Sequence, residues 1–146
     1  MLPIKERKVM KIVKTSDPNV IKAIKENVVK YIDANEVKDY DLKSITKWLR
    51  VSATNPMVVI FVAMNDEGNK SVGHCIAGIM QTLNNERFDI SQIIGDTEEI
   101  EKELLLSLEK YAKELNVSQI SIMTKYPKKF KENGFELNSH VLYKEI

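Results

Sequence analysis

Five carboxylates crowd the stretch that follows Gly95: Asp96, Glu98, Glu99, Glu101 and Glu103. Before them runs Phe88-Asp-Ile-Ser-Gln-Ile-Ile94, a short strand, and from Asp96 an amphipathic helix continues to about Leu115. A strand that feeds a glycine and then a helix start is a place where α/β proteins hold phosphate. The first backbone N–H groups of a helix lack partners, and its dipole attracts anions. Here the chain sets its own negative charge at that spot. A carboxylate about 5 Å from a phosphate charge costs roughly 3 kcal/mol at an effective dielectric of about 20. Two of them would offset most of what a good anion site supplies. The acids also have a purely structural use. Asp96 with Glu99 three residues on is spaced as a capping box, and acids in a first turn complement the dipole by about 0.3–1 kcal/mol each.

The remaining reactive side chains form no familiar constellation. His74 and Cys75 are neighbours, so in a strand they point to opposite faces and cannot act as base and nucleophile for each other. Cys75 is expected to be a small core residue, and His74 a strand histidine whose face it shares with Ile76 and Met80. His140 stands alone near the C-terminus. Two histidines and one cysteine match no zinc pattern, so no metal is expected, and there is no Walker lysine loop, Gly-x-Gly-x-x-Gly or Gly-x-Ser-x-Gly. Lys125, Lys128, Lys129 and Lys131 form a basic run whose simplest reading is a solvated face.

Composition narrows the classes further. The chain has 146 residues, a net charge of +1, and 43% apolar and 29% charged residues, the profile of one ordinary globular domain spanning 1–146. Near-neutral charge argues against nucleic acid or an anionic membrane as partner. The single cysteine forms no internal disulfide, and the charged N-terminal stretch is not a secretory signal, so a cytoplasmic setting is expected. The longest apolar run, Met57 to Met64, is too short to span a bilayer.

Taken in order, Lys8 to Lys14 is a first strand, and Asp17-Pro18 starts a helix to about Asp33. Asp41 caps a second helix carrying Leu42, Ile45, Trp48, Leu49 and Ser52, which ends before Pro56. Met57 to Met64, continuous and β-branched, is a central strand buried on both faces. Residues 65–70 turn into a return strand, Ser71 to Leu83, in which Gly73 and Gly78 mark a bulge or a close backbone approach. After the 96–115 helix, Asn116 ends the helical pattern. Gln119 to Thr124 alternates as a fifth strand, Pro127 to Asn133 is a short helix stopped by Gly134, and Phe135 to Ile146 closes as a strand or bent strand pair.

This β-α-α-β-β-β-α-β-α-β order, together with the ending Phe130-Lys-Glu-Asn-Gly-Phe135, resembles the Gcn5-related N-acetyltransferase (GNAT) superfamily over nearly the whole chain. The resemblance implies an α/β (α+β) fold with a twisted mixed central sheet flanked by helices. It also implies an acetyl-CoA site at Ile93, Ile94, Gly95, Asp96, Thr97, Glu99 and Glu101, the positions equivalent to the family's coenzyme segment. The family motif there is Gln/Arg-x-x-Gly-x-Gly/Ala. Aligned through Leu104-Leu105, this chain puts Asp96, Glu99 and Glu101 at the three motif positions. The family's general-acid tyrosine, four residues before the Gly of Gly-Phe, is replaced by Phe130, which carries no transferable proton. Tyr126, one helical turn earlier, is the nearest replacement.

These departures lead to an expectation of a non-catalytic GNAT-like module that binds no coenzyme. Its role would be to bind a protein partner or a second copy of itself, or to serve as a component of a viral particle or other large assembly. The alternative is a divergent acetyl-CoA-dependent transferase acting on an amine. An acceptor or partner surface, if the resemblance holds, lies near the strands after Gly78 and Phe88.

Overall fold

A computed structural model describes residues 11–34, 41–81, 83, 85–124, 126–137, 142 and 144–146, apart from a few helix side chains. Strand β1 (Lys11–Lys14) leads into helices α1 (Pro18–Ala34) and α2 (Leu42–Thr54). Strands β2 (Val58–Met64), β3 (Ser71–Gln81) and β4 (Glu86–Gly95) follow as a meander, then helix α3 (Glu98–Glu114), strand β5 (Gln119–Ile122) and helix α4 (Pro127–Lys131). The sheet runs in chain order, β1-β2-β3-β4-β5. Its pairs are antiparallel except β4 with β5, which α3 connects as a parallel crossover. This is the mixed α+β architecture expected.

The sheet separates two apolar cores. On one face Phe61, Ala63, Cys75, Phe88 and Ile90 pack under Leu104, Leu105 and Leu108 of α3. On the other, Ile60, Val62 and Ile76 meet Ile24 and Val28 of α1 and Ile45 and Leu49 of α2. Residues 59–63 of β2 are all buried, feeding both faces in turn, which is why that strand is continuously apolar. Each fully buried large side chain, such as Phe88, Leu104 or Leu108, contributes about 1.5–3 kcal/mol relative to exposure.

Local signals set most boundaries. The Asp17 carboxylate accepts from the Asn19 amide, and the Asp41 side chain accepts from Lys43 N. Asn116 at φ 57° and Gly134 at φ +90° take the left-handed turns that end α3 and the α4 segment.

Several expectations need correction. The first strand begins at Lys11 among the described residues, and positions 8–10 lie outside them. β4 runs longer than residues 88–94. β3 stops at Gln81 rather than Leu83, and β5 at Ile122 rather than Thr124. The two glycines of β3 differ in kind. A Cβ on Gly73 would lie 2.6 Å from the Ile94 carbonyl, a true close approach, whereas Gly78 has ordinary room, its nearest contact being 3.8 Å. Between β2 and β3 the register also shifts: Ala63 pairs with Gly73 and Met64 with Ser71, so Val72, beside Gly73, is an extra residue on β3, and a second bulge falls on β4. Ile76 pairs with Gln92 and Ala77 with Ile90, so Ser91 is the extra residue.

The closing strand is also absent from the described residues. Phe135 folds back onto Phe130, the rings meeting edge to face at 5.6 Å, while Leu137 is exposed and not in a strand. Just after the left-handed turn at Gly134, Phe135 N donates to Phe130 O at 3.1 Å, which holds the chain against α4. Residues 138–141 and 143 lie outside the described set, as does His140.

Candidate functional site

The junction between β4 and α3 forms where the spacing placed it, displaced by one residue. Thr97, not Asp96, is the N-cap: its hydroxyl accepts from Ile100 N at 3.2 Å. The expected Asp96–Glu99 capping box is therefore not made. A hydroxyl at position 97 takes the cap, and Asp96 stays with the strand, its N–H donating to the Val72 carbonyl at 2.9 Å. Glu101 N donates to Thr97 O at 3.2 Å. Three amides at this junction are thus engaged by the chain itself, and Ile100 seals the corner by resting on Gly73 and Gly95.

The acids divide by environment. Asp96, Glu98 and Glu99 are exposed, with Asp96 Oδ1 4.0 Å from Lys30 Nζ. Glu101 is only 17% exposed in its side chain and forms an ion pair with Lys129 of α4. Exposure lets water and salt screen the first group, so their repulsion of an anion is smaller than the sequence-based figure. Glu101 is the member that burial and pairing make specific.

Between α3 and α4 lies a groove of about 1010 Å³. Ile93, Leu105 and Phe130 supply its apolar lining, and Tyr126 its phenol. Around them stand four carboxylates, Glu98, Glu99, Glu101 and Glu132, and three ammonium groups, Lys102, Lys128 and Lys129. Of the sequence-predicted positions, Ile93, Glu99, Glu101 and Tyr126 are brought together here. Ile94, Gly95, Asp96 and Thr97 adjoin the groove in the chain without lining it.

Tyr126 is the N-cap residue of α4, with non-helical φ −122° and ψ 63°, as expected for the residue before Pro127. It is 54% exposed. Phe130 is a packing residue against Phe135 and the α3-side core. Lys125 lies outside the described residues.

His74 and Cys75 point to opposite faces, as the strand period requires. Cys75 is fully buried beneath α3, and burial pushes its thiol up to about 12. His74 is fully buried on the opposite face, its Nε2 3.0 Å from Gln92 Oε1. Burial lowers it to about 4, and the Gln92 hydrogen bond opposes this only in part. Its Nδ1 has no partner. Nearby, Asn27 Nδ2 donates to Ser71 Oγ at 3.0 Å, both residues buried. A smaller cavity of about 290 Å³ opens between α1 and α2, with Trp48 and Ile45 as walls and Gln92 beneath. Among the described residues, no group of three or more His, Cys, Asp or Glu is placed to hold a metal.

No family model matches the sequence, and no curated protein matches it. The solved structures do. A predicted acetyltransferase with acetyl-CoA from Clostridium acetobutylicum superposes with a TM-score of 0.78 at 16% identity, covering 94% of this chain and 96% of that one. The fold is that of the Gcn5-related N-acetyltransferases. An aminoglycoside acetyltransferase from an uncultured soil metagenomic sample, in complex with sisomicin, shows the same GNAT architecture (TM-score 0.71, 17% identity, 94% and 96% covered). So does AAC(6')-Iy in complex with a bisubstrate analogue, CoA-S-monomethyl-acetylneamine (TM-score 0.76, 12% identity, 94% and 97% covered).

Sequence reasoning missed three features of this GNAT-fold chain. Lys129 lies in a basic run that reads as a solvated face, and its pairing with Glu101 has no mark in the sequence. Gln92 carried a signal, being polar within an otherwise apolar strand end. The Asn27–Ser71 pair carried none, since its partners are far apart in sequence.

Proposed function

We propose that this chain is a GNAT-fold interaction module that binds a protein partner and does not take acetyl-CoA through the family's usual cradle. The observation that carries this reading is the first turn of α3. Thr97 takes the Ile100 and Glu101 amides, and Val72 O takes that of Asp96 just before the helix. Its innermost carboxylate, Glu101, holds the cation best placed to meet a phosphate. A pyrophosphate against this turn would lose amides to the chain's own hydrogen bonds and would have to displace Glu101 from Lys129. The residues present do not fit that group. Isothermal titration with acetyl-CoA tests the reading: the expected result is no submillimolar binding. Submillimolar affinity that Glu99→Gly fails to improve would defeat it.

A second reading, a divergent transferase acting on an amine, is favoured by one observation. Tyr126 shares the groove with Ile93 and Phe130, so a hydroxyl able to give up a proton lines it. Coenzyme release from acetyl-CoA in the presence of an amine, lost in Tyr126→Phe, would support it. No release with a panel of aminoglycoside and polyamine acceptors would exclude those acceptors and leave the binding reading in place.

A further inference from the structure

We propose that the Glu101–Lys129 pair determines which ligands the α3–α4 groove admits, excluding polyanions for as long as Lys129 is held. The inference deepens the reading above and rests on it. α4 has five residues, and none is buried. What joins it to the body on the groove side is the half-buried Phe130 and the ion pair from Lys129 to Glu101. Lys129 is therefore both a tie across the groove and its most inward cation, with a side chain 39% exposed against 17% for Glu101. A phosphate that reaches Lys129 must replace a carboxylate that cannot leave, because Glu101 is fixed in the first turn of α3. The displaced Glu101 would then stand unpaired beside the incoming charge, adding repulsion to the lost pair. An uncharged ligand meets neither penalty.

The two partners of the pair are consequently not equivalent. Glu101→Gln keeps the shape, frees Lys129 and removes the repulsion. Lys129→Gln also breaks the tie but removes the cation and leaves Glu101 unpaired. A purely mechanical latch would open equally in both variants. A charge filter opens in the first alone.

Titration of the full chain with acetyl-CoA, and with pantetheine as a probe of the same arm without phosphates, separates these cases. Acetyl-CoA is expected to bind Glu101→Gln about tenfold tighter than the native chain, the scale of one removed charge contact. That gain should shrink as salt is raised. Pantetheine should bind the two proteins alike, and Lys129→Gln should gain nothing for acetyl-CoA. Equal acetyl-CoA binding by Glu101→Gln and the native chain, including none measurable in either, overturns the proposal, as does an equal gain in Lys129→Gln. Submillimolar acetyl-CoA binding by the native chain would instead defeat the interaction-module reading, while the ratio between the two proteins would still decide the filter.

Discussion

Gly73 lies directly opposite Gly95 in the β3–β4 ladder, and the side chain of Ile100 rests on both. Two strands and a helix meet there without a Cβ between them. The corner is closed by packing, so a methyl group at either position has no free space to enter. At Gly73 the new carbon would lie 2.6 Å from the Ile94 carbonyl, which cannot move without breaking the ladder. At Gly95 it would lie 2.8 Å from Ile100 Cγ2 and 3.0 Å from Glu101 N. Overpacking of this kind costs about 1–3 kcal/mol. Gly73→Ala is expected at or above the top of that range and Gly95→Ala within it, read as shifts in urea midpoint at constant slope. Gly78→Ala is the control, with ordinary contact distances and a small effect.

The cap of α3 gives a second test. Thr97→Ala removes the hydroxyl that accepts from Ile100 N and should cost about 0.5–2 kcal/mol. Asp96→Ala, one residue outside the helix, should cost less than about 0.5 kcal/mol, as exposed substitutions usually do. Equal losses in chemical denaturation would return the cap to Asp96.

His74 makes stability depend on pH with a definite sign. Its folded value is lowered from 6.5 to about 4, so between those values the unfolded chain binds the proton and the folded chain does not. Stability from this group is full above pH 6.5, declines as pH falls toward 4, and levels off below. The swing is about 3 kcal/mol at most. Carboxylates add their own pH dependence, so the measurement is the difference between the native chain and His74→Gln across that window. The native chain should show the steeper decline. Parallel curves would mean that His74 reaches solvent.

Cys75 should be chemically silent in the folded protein. Its thiol is fully buried and pushed up to about 12, so the reactive thiolate is scarce and a reagent has no approach. A colorimetric disulfide reagent at pH 8 should label it at the rate of unfolding and rapidly in denaturant. Fast stoichiometric labelling under native conditions would contradict the packing of β3 under α3.

The order of elements from β1 to α4 is legible because each boundary carries a local signal: Asp17-Pro18, Asp41, Asn55-Pro56, Asn116 and Gly134. The buried strand β2 is legible from its unbroken apolar run. Local rules fail where two adjacent residues offer the same chemistry. Asp96 and Thr97 are both good caps, and only the register of β4 against Val72 chooses between them. Ser91 and Gln92 are both polar, so the bulge at Ser91 leaves no mark on the pattern. Phe135, the expected start of the closing strand, is held instead by Phe130 five residues earlier, and residues 138–141 and 143 of that stretch lie outside the described residues. At the candidate site, the carboxylates and Tyr126 could be read from the sequence. That Lys129 crosses to Glu101 depends on how α4 lies against α3, which one-dimensional spacing does not encode.

None of the groove's charged side chains belongs to either apolar core, and the sheet stands between the groove and the α1–α2 face. The two cores are therefore insulated from most changes on the rim, the Glu101–Lys129 tie to α4 excepted. Substitutions at the other rim charges are expected to alter what the groove admits more than they alter how the chain packs.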